Sequence, residues 1–89
     1  MPMIEFSNLR SLDDLWPQLE AQVDLPLHFG YNLDALFDVL STDLEGPLTL
    51  VWHQHEASRT AMGEDAYIAL LMTFEDAANA RMDMELHLQ

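Results

Sequence analysis

At 89 residues, with sixteen aspartates and glutamates against three arginines and no lysine, the chain carries a formal charge of −13. That balance repels a nucleic-acid backbone and favours encounter with a basic protein. The length suits one domain, residues 1–89, around one core, and the absence of cysteine removes disulfides and thiolate metal sites from consideration.

No stretch approaches the ~20 apolar residues of a membrane span. The opening Met1-Pro2-Met3-Ile4-Glu5-Phe6-Ser7 lacks the basic and long apolar regions of a leader. The expectation is a soluble protein that stays in the cytoplasm, with no membrane contact.

The first predicted element is a strand over the apolar run Met3 to Phe6. A helix follows, capped by Ser11 or Asp14, with Leu12, Leu15, Trp16, Leu19 and Val23 on one side. Pro17 lies within that pattern, and an interior proline loses a hydrogen bond and crowds the preceding turn. The regular helix therefore starts near Asp14 or bends at Pro17. Asp24-Leu25-Pro26 ends it, and Leu27 to Tyr31 reads as a loop. In that loop Phe29 and Tyr31 either stand out as binding anchors or fold back.

Asn32 is a good N-cap, and Leu33, Leu36, Phe37, Leu40 and Leu44 recur at the helical period, which predicts a helix from about 33 to about 43. At roughly 100° per residue, Asp34, Asp38, Ser41 and Glu45 form a second stripe, with Phe37 on its border. Asp34 sits in the first turn, where the helix dipole favours a carboxylate by roughly 0.3–1 kcal/mol. Asp38 gains little from the dipole and repels Asp34 at the i, i+4 spacing. The charge at Asp38 thus lacks a local structural reason.

After Glu45-Gly46-Pro47, the near-continuous apolar run Leu48 to Trp52 predicts a strand buried on both faces, and hence a parallel sheet covered by helices. Ser58 to Met62 reads as a short helical turn. Asp65 to Arg81 places Tyr67, Leu70, Leu71, Phe74, Ala77 and Ala78 on one helix face, and Met84 to Leu88 alternates as a last strand. The fold class is α/β: a small three-stranded parallel sheet packed with helices.

Catalysis and metal binding are the rival chemistries. There is no nucleophile elbow, no glycine-rich loop with a lysine and no cysteine nucleophile. Asp34 and Asp38 as an acid–base pair would need a cleft that drives their pKa values apart. The expectation is a protein that is not an enzyme. His53-Gln54-His55-Glu56 sets two imidazoles two residues apart, but His28 and His87 would have to converge on them to complete a site. No metal and no other cofactor is expected.

The segment Gly30-Tyr31-Asn32-Leu33-Asp34-Ala35-Leu36-Phe37-Asp38-Val39-Leu40, followed by Gly46-Pro47-Leu48-Thr49-Leu50-Val51-Trp52, resembles the barstar family, small intracellular inhibitors of secreted barnase-type ribonucleases. Leu9-Arg10-Ser11-Leu12-Asp13-Asp14-Leu15 and Phe74-Glu75-Asp76-Ala77 resemble that family's first and last helices. The resemblance implies the same three-stranded layout. It also implies that the loop and second helix plug the nuclease cleft, with Asp34 and Asp38 meeting the cations that handle RNA phosphate and Asp76 contributing at the periphery. His28, Phe29, Gly30, Asn32, Leu33, Phe37, Thr42 and Asp43 would frame the contact. His28 and Asp43 stand where the family carries aromatic residues, which implies a cognate nuclease different from barnase.

The implied partner is a barnase-like ribonuclease in a 1:1 complex, in an immunity or antitoxin role. The chain itself is expected to be monomeric when free and to bind no nucleic acid directly. The alternative is an acidic adaptor that binds another basic toxin or protein through the same charge complementarity.

Overall fold

Three apolar runs become the three strands with the bounds their patterning gives: β1 (Met3–Phe6), β2 (Leu48–Trp52) and β3 (Met84–Leu88). The computed structural model describes residues 3–89; Met1 and Pro2, the start of the opening segment, lie outside the described residues. The strands form one parallel sheet in the order β1-β2-β3, with Met3 beside Thr49 and Leu48 beside Met84. Parallel neighbours need long crossovers, and these carry the helices α1 (Leu15–Gln22), α2 (Leu33–Asp38), α3 (His55–Met62) and α4 (Glu64–Ala80). The α/β class read from the sequence is the observed one.

One core joins the sheet to the helices. Ile4, Phe6, Leu48, Leu50, Trp52 and Met84 bury their side chains against Leu15 and Leu19 of α1, Leu36 of α2, and Tyr67, Leu70, Phe74 and Ala77 of α4. Phe6 stacks on Phe74 at 5.7 Å between ring centres, and Trp52 meets the same ring edge-on at 5.5 Å. Both geometries suit the ring quadrupole.

The opposite face of the sheet corrects one expectation. Glu5, Glu85 and His87 are exposed there, so helices do not cover β2 on both sides. Val51 is buried but lies outside the core cluster. Its neighbours in register are Glu5 and His87, and His53 Nε2 lies 2.8 Å from Glu5 Oε1. Long polar side chains from the flanking strands thus shield a central valine, and an apolar run arises in a strand with only one helical layer above it.

Pro17 does not bend α1. A short 3-10 turn (Leu12–Asp14) precedes the helix, and Pro17 is its third residue, where a backbone N–H has no intrahelical acceptor to lose. Neither Ser11 nor Asp14 caps the helix through its side chain. Asp14 instead accepts the backbone N–H of Arg10 at 2.9 Å.

From α1, Gln18 and Gln22 reach the outer edge of β1. Gln22 accepts the Glu5 N–H and donates to the Glu5 carbonyl, both at 2.8 Å. Gln18 does the same for Ser7, at 3.0 and 2.8 Å. Two side-chain amides one helical turn apart therefore occupy the edge as a fourth strand would, and satisfy groups that otherwise template aggregation.

α3 begins at His55, three residues ahead of the expected Ser58. Gln54 adopts φ +57°, a left-handed conformation that turns the chain sharply at the end of β2. No described helix is long and apolar enough to cross a membrane.

Candidate functional site

The expected acidic helix forms where its cap and apolar period place it. Asn32 is extended, and its side chain accepts the Ala35 N–H at 2.8 Å, which satisfies one of the free donors of the first turn. Leu36 is fully buried and carries the helix onto the core, with Leu33 and Phe37 packed partly against it.

Beyond Asp38 the helix widens. Val39–Asp43 forms a π-helical turn, closed by the Leu44 N–H to the Val39 carbonyl at 3.1 Å, and the Ser41 hydroxyl donates back to the Phe37 carbonyl at 2.6 Å. The predicted span of about 33 to 43 is thus an α-helical piece and a π turn.

Arg81 secures the far end of this segment. Its guanidinium donates to the carbonyls of Leu40 and Leu44, both at 2.8 Å, and grips Asp83 through Nε at 2.7 Å and Nη2 at 3.1 Å. A cation at the C-terminal end of a helix satisfies free carbonyls and complements the dipole. The same pairing with Arg81 holds the Asp83 carboxyl below its ordinary value. Gly46 completes the arrangement by close approach: a Cβ there would lie 1.8 Å from Asp83 Oδ2 and 2.6 Å from Arg81 Nη2.

The loop before α2 is braced by an aromatic cluster. Phe29 meets Tyr31 at 5.0 Å and Trp16 at 5.8 Å, both edge-on, and Trp16 meets Tyr31 at 6.1 Å. Phe29 is 9% exposed, so its ring supports the loop from beneath and offers no free face. Tyr31 is half exposed; its hydroxyl donates to Glu20 of α1 at 2.9 Å, and that bond, more than its partial desolvation, raises the phenol's pKa. Tyr31 also takes φ +51°, a left-handed conformation rare for a bulky residue, held by its ring contacts and by Glu20.

The resulting surface is an arc. His28, Gly30, Asn32, Asp34, Asp38, Thr42 and Asp43 are all exposed, and Leu33 and Phe37 are half-buried between them. Among the described residues neither Asp34 nor Asp38 has a hydrogen-bond or ion-pair partner in its side chain. Two of the three arginines are engaged elsewhere, Arg59 with Glu64 and Arg81 with Asp83. Asp43 also lines a groove of about 400 Å³ between the end of α1 and the start of β2, beside Asp24 and Glu45.

Asp76 comes from a different element. It is exposed on α4, the helix that packs along α2, and lines a groove between α4 and β3 with Glu75, Met72, Leu86 and Leu88. His53 and His55 also separate: His53 pairs with Glu5, whereas His55 Nδ1 lies 2.8 Å from the Tyr67 hydroxyl. Among the described residues no group of three or more histidines and carboxylates is placed to hold a metal ion.

Sequence reasoning did not single out Arg81, Tyr31 as a brace, or Gln18 and Gln22. The signals were thin. Arg81 is one arginine at a helix end with an acid two residues on, and its acceptors lie some forty positions earlier in the chain.

A family model described as "Barstar (barnase inhibitor)" matches residues 2–89. A protein of Bacillus subtilis (strain 168) named "Putative ribonuclease inhibitor YrdF" is 40% identical over 62 residues, which is 70% of this chain and 65% of the relative. The family match covers the strands, the capped acidic helix and the helix that bears Asp76 alike, and on that extent the chain belongs to the barstar family.

Proposed function

We propose that this protein is an immunity-type inhibitor that closes the cationic active site of a secreted barnase-like ribonuclease, in a 1:1 complex formed in the cytoplasm of the producing cell. The observation that carries this reading is the pair of unpartnered carboxylates, Asp34 and Asp38, on a helix fastened at both ends by Asn32 and Arg81. An enzyme that cleaves RNA gathers positive charge where phosphates bind, and fixed carboxylates compete for that charge.

Fastening matters because ordering a segment on binding would subtract from affinity. Here the helix needs no rearrangement, and the buried Phe29 holds the loop at His28 and Gly30 in place. Free carboxylates also leave no internal ion pair to break before docking. A net charge of −13 accelerates encounter with a basic enzyme and discourages contact with RNA itself. His28 and Asp43 support a cognate enzyme whose rim differs from that of barnase.

The test is RNA cleavage by the tightest-binding partner, measured with and without this protein and its variants. The wild type abolishes cleavage at equimolar dose, and the double variant Asp34→Asn with Asp38→Asn does not. For Asp38→Ala the expected cost is on the scale of the close charge pairs between barnase and barstar, about 1.5–7 kcal/mol. A calorimetric loss below about 1 kcal/mol removes Asp38 from the centre of the interface. A basic partner that cuts no RNA replaces inhibition with the adaptor reading.

A further inference from the structure

The two edges of the sheet are treated differently. On β1 the outward groups of Glu5 and Ser7 are occupied by Gln22 and Gln18. On β3 nothing comparable is present. The Leu48 N–H bonds the Asp83 carbonyl at 2.8 Å and the Gln89 N–H bonds the Trp52 carbonyl at 3.0 Å, so Asp83, Glu85, His87 and Gln89 turn their backbone groups inward to β2. By alternation, Met84, Leu86 and Leu88 point theirs outward. Among the described residues those outward groups have no partner.

The surface beside this edge is partly apolar. Leu88 is 39% exposed, and Met72 and Ile68, one turn apart on α4, are 53% and 43% exposed. Met72, Leu86 and Leu88 line the groove between α4 and β3, of about 460 Å³. The edge carries no proline and no lysine, the residues that commonly blunt such edges.

We propose that this edge pairs with the same edge of a second copy of the chain, antiparallel about a twofold axis at Leu86, to make one continuous six-stranded sheet. The phase of the hydrogen bonds selects this register. Leu86 faces Leu86 of the second copy, and Met84 faces its Leu88, each pair exchanging both N–H···O bonds. The same register sets Glu85 opposite His87 of the second copy, twice over, on the open face of the sheet. A carboxylate–imidazole hydrogen bond across the strands, in place of the looser 3.7 Å approach of Glu85 and His87 within one copy, favours this register, whereas a slip by two residues would lose it.

On the other face Met84, Leu86 and Leu88 extend the apolar rank of the core, with Met72 beside it. Glu75 and Asp76 also line the groove, and each copy carries a charge of −13, so the copies repel at low salt. Association therefore tightens as salt rises, the reverse of binding to a cationic enzyme. Such a dimer departs from the expectation of a monomer when free, and it leaves the arc around Asp34 and Asp38 uncovered.

Sedimentation velocity of the full chain from about 10 µM to about 1 mM, at about 20 and about 500 mM NaCl, tests the proposal. A shift from monomer to dimer is expected at the upper concentrations, stronger at high salt. Amide exchange at Leu86 and Leu88 slows as the dimer forms. Glu85→Lys weakens association by about tenfold or more, and exchanging the two residues (Glu85→His with His87→Glu) restores it. Leu88→Pro removes an outward N–H without touching the ladder to β2 and abolishes the dimer; circular dichroism verifies that it folds. A monomer under all conditions, or a dimer unaffected by Glu85→Lys and Leu88→Pro, overturns the proposal. Asp34→Asn with Asp38→Asn removes two negative charges per copy and leaves the dimer in place, no weaker than in the wild type, so this inference and the inhibitor reading fail separately.

Discussion

Replacing Arg81 with methionine keeps most of the stem and deletes the guanidinium, and the expected cost is about 2–4 kcal/mol of folding stability. The side chain is 12% exposed and donates at 2.8 Å to the carbonyls of Leu40 and Leu44, in and just after the π turn that follows α2. A hydrogen bond with a charged donor contributes about 1.5–3 kcal/mol, and water admitted by the shorter side chain recovers part of the loss at both carbonyls. A chain of this length has a total stability of roughly 4–13 kcal/mol, so the variant loses a large share of it. The midpoint of thermal unfolding falls by roughly 8–32 °C at about 4–8 °C per kcal/mol. Urea unfolding followed by circular dichroism measures the difference, with the slope confirming that both proteins unfold in one step. Arg81→Lys recovers only part, because an ammonium cannot span two carbonyls and a carboxylate at once. A loss below about 1 kcal/mol for Arg81→Met, at unchanged slope, would refute the claim that this residue fastens the acidic helix.

Gly46→Ala is expected to cost about 1–3 kcal/mol in the wild type and much less in the Arg81→Met background, since the added methyl acts by prising apart the Arg81–Asp83 pair; a double-mutant cycle by urea unfolding reads the coupling. Gln18→Ala with Gln22→Ala bares the β1 edge, so the Glu5 and Ser7 amides exchange at least about tenfold faster and the protein aggregates sooner on heating. Side-chain hydrogen bonds to Arg59 and Arg81 lower the pKa values of Glu64 and Asp83 from ordinary values of 4.5 and 3.8. These groups therefore add stability above the unfolded values and lose it as pH falls through the folded ones. The urea midpoint should drop from about pH 5 downward, less steeply in Arg59→Met and Arg81→Met.

What was legible in the sequence follows from range. Strand bounds were readable because apolar runs are local, and the Asn32 cap because its acceptor and donor lie three residues apart. The one-sided sheet was not, since Val51 is shielded by Glu5 and His87 from strands distant in sequence. Val51 in isolation looks like any core valine. Phe29 and Tyr31 left two options open, and only the position of Trp16 shows that they close on each other. Arg81, Gln18 and Gln22 act through long polar side chains on backbone groups elsewhere, a use that leaves no periodic trace. At the site, Asp34 and Asp38 were identified by spacing and resemblance, whereas the clamp that presents them emerged only in three dimensions.

Among the described residues every strand pairing joins segments that are far apart along the chain: Met3 must find Thr49, and Leu48 must find Met84. No hairpin among the described residues offers a nearby nucleus, and distant contacts repay their loop-closure entropy only once made. The acidic helix lies inside the first of these crossovers, and the arginine that secures its far end arrives just ahead of the last strand. The fixed presentation of Asp34 and Asp38 is therefore a late event in folding, reached after the C-terminal segment has docked, and a nascent chain that stops short of Arg81 cannot yet hold the far end of their helix in place.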